Sequence, residues 1–408
     1  MTESLDPFRK SWHIILALGI TQIVGYGSVF YSFSLLMEPL QQALFSSKSV
    51  IVGAFSTALL VSGICATFIG RTIDRIGGRV VMTVGSVVAA LLLAALSHVG
   101  SIAELYAIYA GLGMAMAAIF YEPAFAVLTQ LFGSHFRRAI SALTLLGGLS
   151  SSIFWPLTQQ LILHFGWRSA LLILAASNAI ICVPLHLLVL PKKPPGKSAA
   201  KVVTGVVSKS LKEVLREPAF YWLGAALVAN GLIFTSMAVH MMPILQSKGL
   251  SAAAAAGVGA LLGPMQVTGR ILELTIGKRH SILGIGRLAF GLVPVALLIF
   301  ALASQIWLLV VFVLCYGLSN GVITIVRGAV PAELFGRDHY GAVAGALATP
   351  NMLAQAFGPF LASLLWMATG GNYDRTLVTL AVIAFAGVCF FIVATRGHIT
   401  PKRMSAGS

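Results

Sequence analysis

Lysine and arginine divide this 408-residue chain into apolar segments, each long enough to reach across a lipid bilayer. In the first half they run roughly 12–37, 50–70, 80–97, 102–130, 139–163 and 169–190; in the second, roughly 218–245, 252–276, 282–303, 305–332, 341–368 and 376–395. About 20 apolar residues cross the hydrocarbon core as a helix, so the chain holds a dozen crossings. None of the runs alternates in polarity as barrel strands do, and lipid demands that each segment satisfy its own backbone, so they read as helices. Only 10% of the residues are charged, against about 25% in soluble domains, which excludes an ordinary soluble enzyme. The expected fold class is an all-α polytopic membrane protein with twelve transmembrane helices.

The net charge of +15 would suggest nucleic acid if the basic residues shared a solvated face. They sort by side instead. With the N-terminus placed in the cytoplasm, 21 Lys and Arg fall on that side, 4 on the other (Lys48, Arg168, Lys248 and Arg375), and two, Arg270 and Arg327, inside apolar runs. The positive-inside rule then puts both termini in the cytoplasm, and no nucleic-acid partner is expected. The first apolar run, Trp12 to Met37, is too long for a signal-peptide core and reads as the first span. Cys65, Cys182, Cys315 and Cys389 lie in four different spans and read as small core residues, not as disulfides or a metal site.

The long polar stretch 191–217 divides the chain into a six-helix bundle, 1–190, and another, 218–408. Within it Val203, Val207, Leu211, Val214 and Leu215 line one side, the pattern of an amphipathic helix on the inner leaflet, with a solvated linker as the alternative. The halves echo one another: Leu131-Phe132-Gly133 and Leu334-Phe335-Gly336 stand 203 residues apart, and Gly70-Arg71 and Gly269-Arg270 stand 199 apart. Internal repeats of this kind are common in transporters. The 41 glycines, including Gly147-Gly148 and the Gly341/Gly345 pair, are read as close helix packing.

The segment Gly70-Arg71-Thr72-Ile73-Asp74-Arg75-Ile76-Gly77-Gly78-Arg79 resembles the loop motif of the major facilitator superfamily. The resemblance implies two six-helix halves and alternating access. It makes Gly70, Asp74, Arg75, Gly78 and Arg79 a cytoplasmic gate in which Asp74 bonds a neighbouring helix N-terminus and an arginine across the mouth. A narrower resemblance is to the bacterial monocarboxylate and oxalate/formate branch. It rests on Tyr121-Glu122-Pro123-Ala124 with Arg137-Arg138-Ala139, and on His240 with Pro243-Ile244-Leu245 and Lys248-Gly249-Leu250. Arg270 falls where that branch carries an arginine for the substrate carboxylate. The chain departs from the animal carriers at Gly25-Tyr26-Gly27-Ser28, which lacks their acid, and at Gln266, where they have Asp. The bacterial inner membrane is the implied location.

A charged side chain deep in a bilayer costs about 2.5–3.5 kcal/mol on insertion scales and marks function. Glu122, His240, Arg270 and Arg327 are the candidates. Arg270 can grip a carboxylate with two parallel hydrogen bonds, with Gln266 and Glu273 on its helix face. The alternative is an intrahelical Arg270 to Glu273 pair. Arg327 maps under the 203 offset onto Ala124, near the depth of Glu122, so the two can pair across the halves as part of a site or as a gate, with Asn320 on the same face. Glu122 is the proton-coupling candidate, and His240, toward the outer end of its span, is either a second proton site or structural. Tyr26, Gln22 and Tyr121 complete a small polar pocket.

The function these residues point to is proton-coupled secondary transport of a small organic anion, with a monocarboxylate as the expected substrate, protons and the bilayer as partners and a monomer as the working unit. Proton-antiport efflux of amphipathic compounds is the competing reading, with Met114, Met116, Met237, Met241 and Met242 as its adaptable lining. No cofactor or metal is expected. The nine His are dispersed, and no phosphate loop or nucleophile motif is present.

Overall fold

The computed structural model describes residues 7–192, 208–277 and 280–396. They are helical, with no strand among them. The rods are α1 (Ser11–Leu44), α2 (Lys48–Ile76), α3 (Gly78–Leu96), α4 (Ile102–Leu131), α5 (136–165) and α6 (167–189). After the linker come α7 (Pro218–Ser247), α8 (252–275), α9 (Ile282–Leu302), α10 (Ile306–Phe335), α11 (Tyr340–Ala368) and α12 (Tyr373–Ala394). Nine stretches among the described residues are long and apolar enough to cross a membrane. One of them, Phe136–Val189, contains both α5 and α6. The break between these two is Gly166, at φ +77, a left-handed conformation that side chains resist.

Rods before the linker pack mainly on one another: α2 and α3 on α4, α1 on α5, and α6 on α1 and α3. Rods after it do likewise, α7 on α11 and α12, and α9 and α8 on α10. The two groups meet where α2 lies along α11 and where α5 crosses α8 and α10. The α2–α11 contact is made by backbone. A Cβ on Gly70 would stand 1.9 Å from the Gly341 carbonyl oxygen, and one on Gly345 2.4 Å from that of Ala66. In lipid, where apolar association has little drive, such small-residue contacts are what let helices touch closely.

The first group carries a buried polar seam. α1 contains a π turn at Tyr26–Tyr31 and α6 another at Asn178–Cys182. The two turns are tied by Asn178 Nδ2 donating to Ser28 Oγ at 2.7 Å. One stretch further in, the ring nitrogens of His186 engage Thr21 at 3.0 Å and Ser86 at 2.9 Å. A buried polar group without a partner is costly, so these bonds fix how α1 is rotated against α3 and α6. The rotation decides where Tyr26 and Tyr31 stand.

The linker expectation falls mostly on 193–207, outside the described residues. What is described is a single turn, Leu211–Val214, closed by a capping box. The backbone N–H of Ser210, followed by its hydroxyl, holds the Glu213 carboxyl below its usual range. Leu211 and Val214 are buried, and Leu215 is exposed. All four cysteines are free.

Candidate functional site

The site begins with a break in α4. Pro123 has no N–H to give the Ile119 carbonyl. Phe120 turns extended (φ −81, ψ −158), and a new helix starts at Tyr121. Gln22 from α1 supplies the missing donor, its Nε2 bonding the Ile119 oxygen at 2.8 Å. The restart places Glu122 in the first turn of the segment Tyr121–Leu131, at the positive end of its dipole.

Across the interface, α10 brings Arg327 to Glu122, Nη2 to Oε1 at 3.2 Å, with the Arg side chain 24% and the Glu side chain 13% exposed. Gly328, the next residue, lets α10 come this near. A Cβ there would lie 2.7 Å from the Phe125 ring. Its carbonyl accepts the Tyr340 hydroxyl at 2.7 Å. A small cavity opens beside the pair, lined by Glu122, Phe125, Arg327, Pro331 and Tyr340. The Arg327 Nε is buried and unbonded.

Arg270 is built differently. It is 5% exposed, and its Nε is buried without a hydrogen-bond partner. Glu273, three residues on, does not pair with it. That carboxylate takes Arg137 Nε at 2.8 Å and the Ser141 hydroxyl. Arg137 also caps the end of α8 through the carbonyls of Gly277 (2.8 Å) and His280 (2.7 Å). Among the described residues Arg270 therefore has no hydrogen bond and no acidic partner. Its guanidinium crosses to α5 and lies against the bare Cα of Gly148.

Tyr121 is within electrostatic reach of both arginines and of Glu122. Tyr26 stacks on Phe120 at 3.9 Å and lies 4.9 Å from the Tyr121 ring. Tyr31, from the same π turn, is in reach of Arg270 and bonds Ser151. The fold thus brings Arg270, Arg327, Glu122, Tyr121 and Tyr26 together at one crossing. Gln266 is half-buried, with its backbone oxygen against Gly321. Asn320 is turned back on its own helix, donating to the Tyr316 carbonyl at 2.8 Å. His240 sits apart, its Nε2 bonding the Pro359 carbonyl of α11 at 3.1 Å, with Ser363 at 3.3 Å. Met116, Met237 and Met241 are buried and Met114 is exposed, and the Met242 side chain lies outside the described residues. Tyr31, Tyr340, Gly148 and the Arg137–Glu273 pair are absent from the sequence-based site. Their one legible signal is the Arg137/Ser141 spacing of four, which puts both on one helix face.

At the linker end of the molecule, Asp74 occupies the start of α11. Its Oδ1 accepts Gly341 N–H at 3.0 Å and Gln130 Nε2 at 3.1 Å, and its Oδ2 accepts Ala342 N–H at 2.8 Å. A carboxylate on a helix N-terminus contributes about 0.3–1 kcal/mol, and up to about 2 when partly buried. Gly78 allows α3 against Val127, where a Cβ would stand 2.1 Å from Cγ2. Arg75 is exposed and Arg79 half-buried.

Two groups of long apolar helices with charged residues buried where they cross have the layout of a membrane transport protein. The chain belongs to the Major Facilitator Superfamily, whose family model matches residues 18–274 and 265–406. It is 26% identical over 394 residues to the uncharacterized MFS-type transporter YcxA of Bacillus subtilis, covering 93% of each chain. It is 25% identical over 380 residues to monocarboxylate transporter 13 of Rattus norvegicus, covering 92% of this chain and 87% of the relative. Among solved structures it superposes on the human organic anion transporter MFSD10 with TM-score 0.74 at 16% identity, covering 94% of this chain and 99% of that one. The Escherichia coli fucose:proton symporter FucP gives the same values. At such identity the structural likeness carries the fold alone.

Proposed function

We propose that this protein moves a small organic monoanion, a monocarboxylate, together with protons by alternating access across the bacterial inner membrane. In this reading all twelve rods cross the bilayer in two six-helix halves, 1–190 and 218–408, joined by the linker 191–217. Both termini and the linker lie in the cytoplasm, and the monomer is the working unit. The asymmetry of 21 against 4 basic residues supports that orientation. The halves then meet at the cytoplasmic end, through Asp74 on α11 and Arg137 on α8, which is the closure of an outward-facing state.

The observation that carries the reading is the charge balance at the crossing. Two arginines stand there with one acid, and that acid is paired with Arg327. Arg270 is left as one buried, uncompensated cation, a state that is costly in a medium of low polarity. A ligand with one carboxylate cancels it and matches the planar guanidinium with two parallel hydrogen bonds. Tyr121, in reach of both arginines, links the sites. A carboxylate drawn toward Arg327 competes with Glu122, which takes up a proton as the arginine leaves. The kinship with carriers named for monocarboxylates supports the same substrate class.

Proteoliposomes holding the full chain test this. An inward proton gradient is expected to drive accumulation of lactate or pyruvate, with oxalate a poor substrate. If no monocarboxylate moves, or if Arg270→Lys and Arg327→Lys both transport normally, the anion reading fails. Export of an amphipathic dye in exchange for protons would establish the efflux alternative.

A further inference from the structure

Gly148 interrupts α5, which ends its first segment at Gly147 and resumes at Ser150. Its backbone lies at φ −64, ψ −17, an ordinary right-handed conformation open to every residue. Glycine is therefore not needed there for the turn. What it provides is the missing side chain. A Cβ at 148 would stand 1.8 Å from Arg270 Nη1 and 3.1 Å from its Cζ. The neighbour, Gly147, faces the Tyr121 hydroxyl in the same way, at 2.5 Å. The two glycines form a notch on α5, and into it reaches a guanidinium that is 5% exposed and unpartnered.

We infer that Gly148 is a positioning residue for substrate: its bare Cα is the seat that lets Arg270 cross from one half to the other and stand beside Tyr121. This rests on Arg270 being the carboxylate site. The seat belongs to the closed arrangement of α5 and α8, which Arg137 and Glu273 hold below it. When the two helices part, the guanidinium leaves the notch, so seating couples the arginine's position to the state of the carrier. A methyl group at 148 forces Nη1 away by more than an ångström, and a displacement of that size in a binding group costs up to about a hundredfold.

The test is equilibrium binding of acetate, lactate and benzoate to the purified full chain, for wild type, Gly148→Ala, Arg270→Lys and the double variant. Gly263→Ala, at a glycine with nothing within 4 Å of an added Cβ, is the control. Gly148→Ala is expected to raise Kd tenfold or more, and Gly263→Ala less than twofold. In the Arg270→Lys background, where the slimmer ammonium leaves the notch unfilled, Gly148→Ala is expected to add less than twofold, the non-additivity of residues in contact. If Gly148→Ala does not fold alone but folds with Arg270→Lys, the clash is with the guanidinium and the inference stands. If both fail to fold, or if Gly148→Ala binds like wild type, or if it weakens both backgrounds equally, the inference is overturned. A wild type that binds no carboxylate overturns the anion reading itself, and the seat with it.

Discussion

Arg327 and Arg270 sit at one crossing, both within reach of Tyr121, and differ in what they face. Arg327 has Glu122 at 3.2 Å and a cavity beside the pair. Arg270 has a glycine notch and no acid, because Arg137 and Ser141 have taken Glu273. A paired buried charge is a structural element whose removal strands its partner. An unpaired one is a cost the fold carries until a ligand meets it. In the proposed function, that difference makes Arg270 the residue that binds and Arg327 the one that couples.

Five changes test that contrast. The largest effect is expected at Arg270→Gln, which removes a charge-assisted contact of about 2–5 kcal/mol and so weakens carboxylate binding by about thirtyfold to several thousandfold. The same change is expected to leave the thermal midpoint of the empty protein level or higher, since no partner is stranded. Arg327→Gln, by contrast, abandons Glu122, and melting is expected to fall by several degrees, for a loss of about 1–3 kcal/mol. Glu122→Gln separates binding from coupling: exchange of carboxylate across the membrane continues while accumulation driven by a pH gradient stops.

Asp74→Asn acts on the closure alone. Loss of roughly 1 kcal/mol at the start of α11 is expected to shift the balance toward the state open at that end by about fivefold, read as distances between spin labels across the linker end. The smallest change is expected at His240→Phe, below twofold in transport at any pH, because that ring is tied to the Pro359 carbonyl away from the crossing. A bell-shaped pH profile flattened by His240→Phe would return it to the proton path.

Much of this arrangement is legible from residue order. Apolar run length gives the rods, and the 203-residue offset brings Arg327 to the depth of Glu122, where the two meet. The resemblance carried by Gly70–Asp74 implies close helix contact and a carboxylate on a neighbouring helix N-terminus, and the structure shows that helix to be α11. The partner of Glu273 is not legible. Spacing of three favours Arg270, and only the packing of α5 on α8 hands the carboxylate to Arg137. The π turns also escape, since a single widened turn leaves no period in the sequence, yet they set where Tyr26 and Tyr31 stand. Gly147-Gly148 reads as packing, because nothing in a glycine pair says which side chain fills the space it leaves.

The proposed function depends on Arg270 being the vacant cation. Titration calorimetry of lactate into the purified full chain and into Arg270→Gln, with lactamide as the uncharged control, tests it most directly. Wild type is expected to bind lactate and not lactamide, and Arg270→Gln to bind neither while keeping its thermal midpoint. Lactate binding that survives Arg270→Gln and disappears in Arg327→Gln would contradict it.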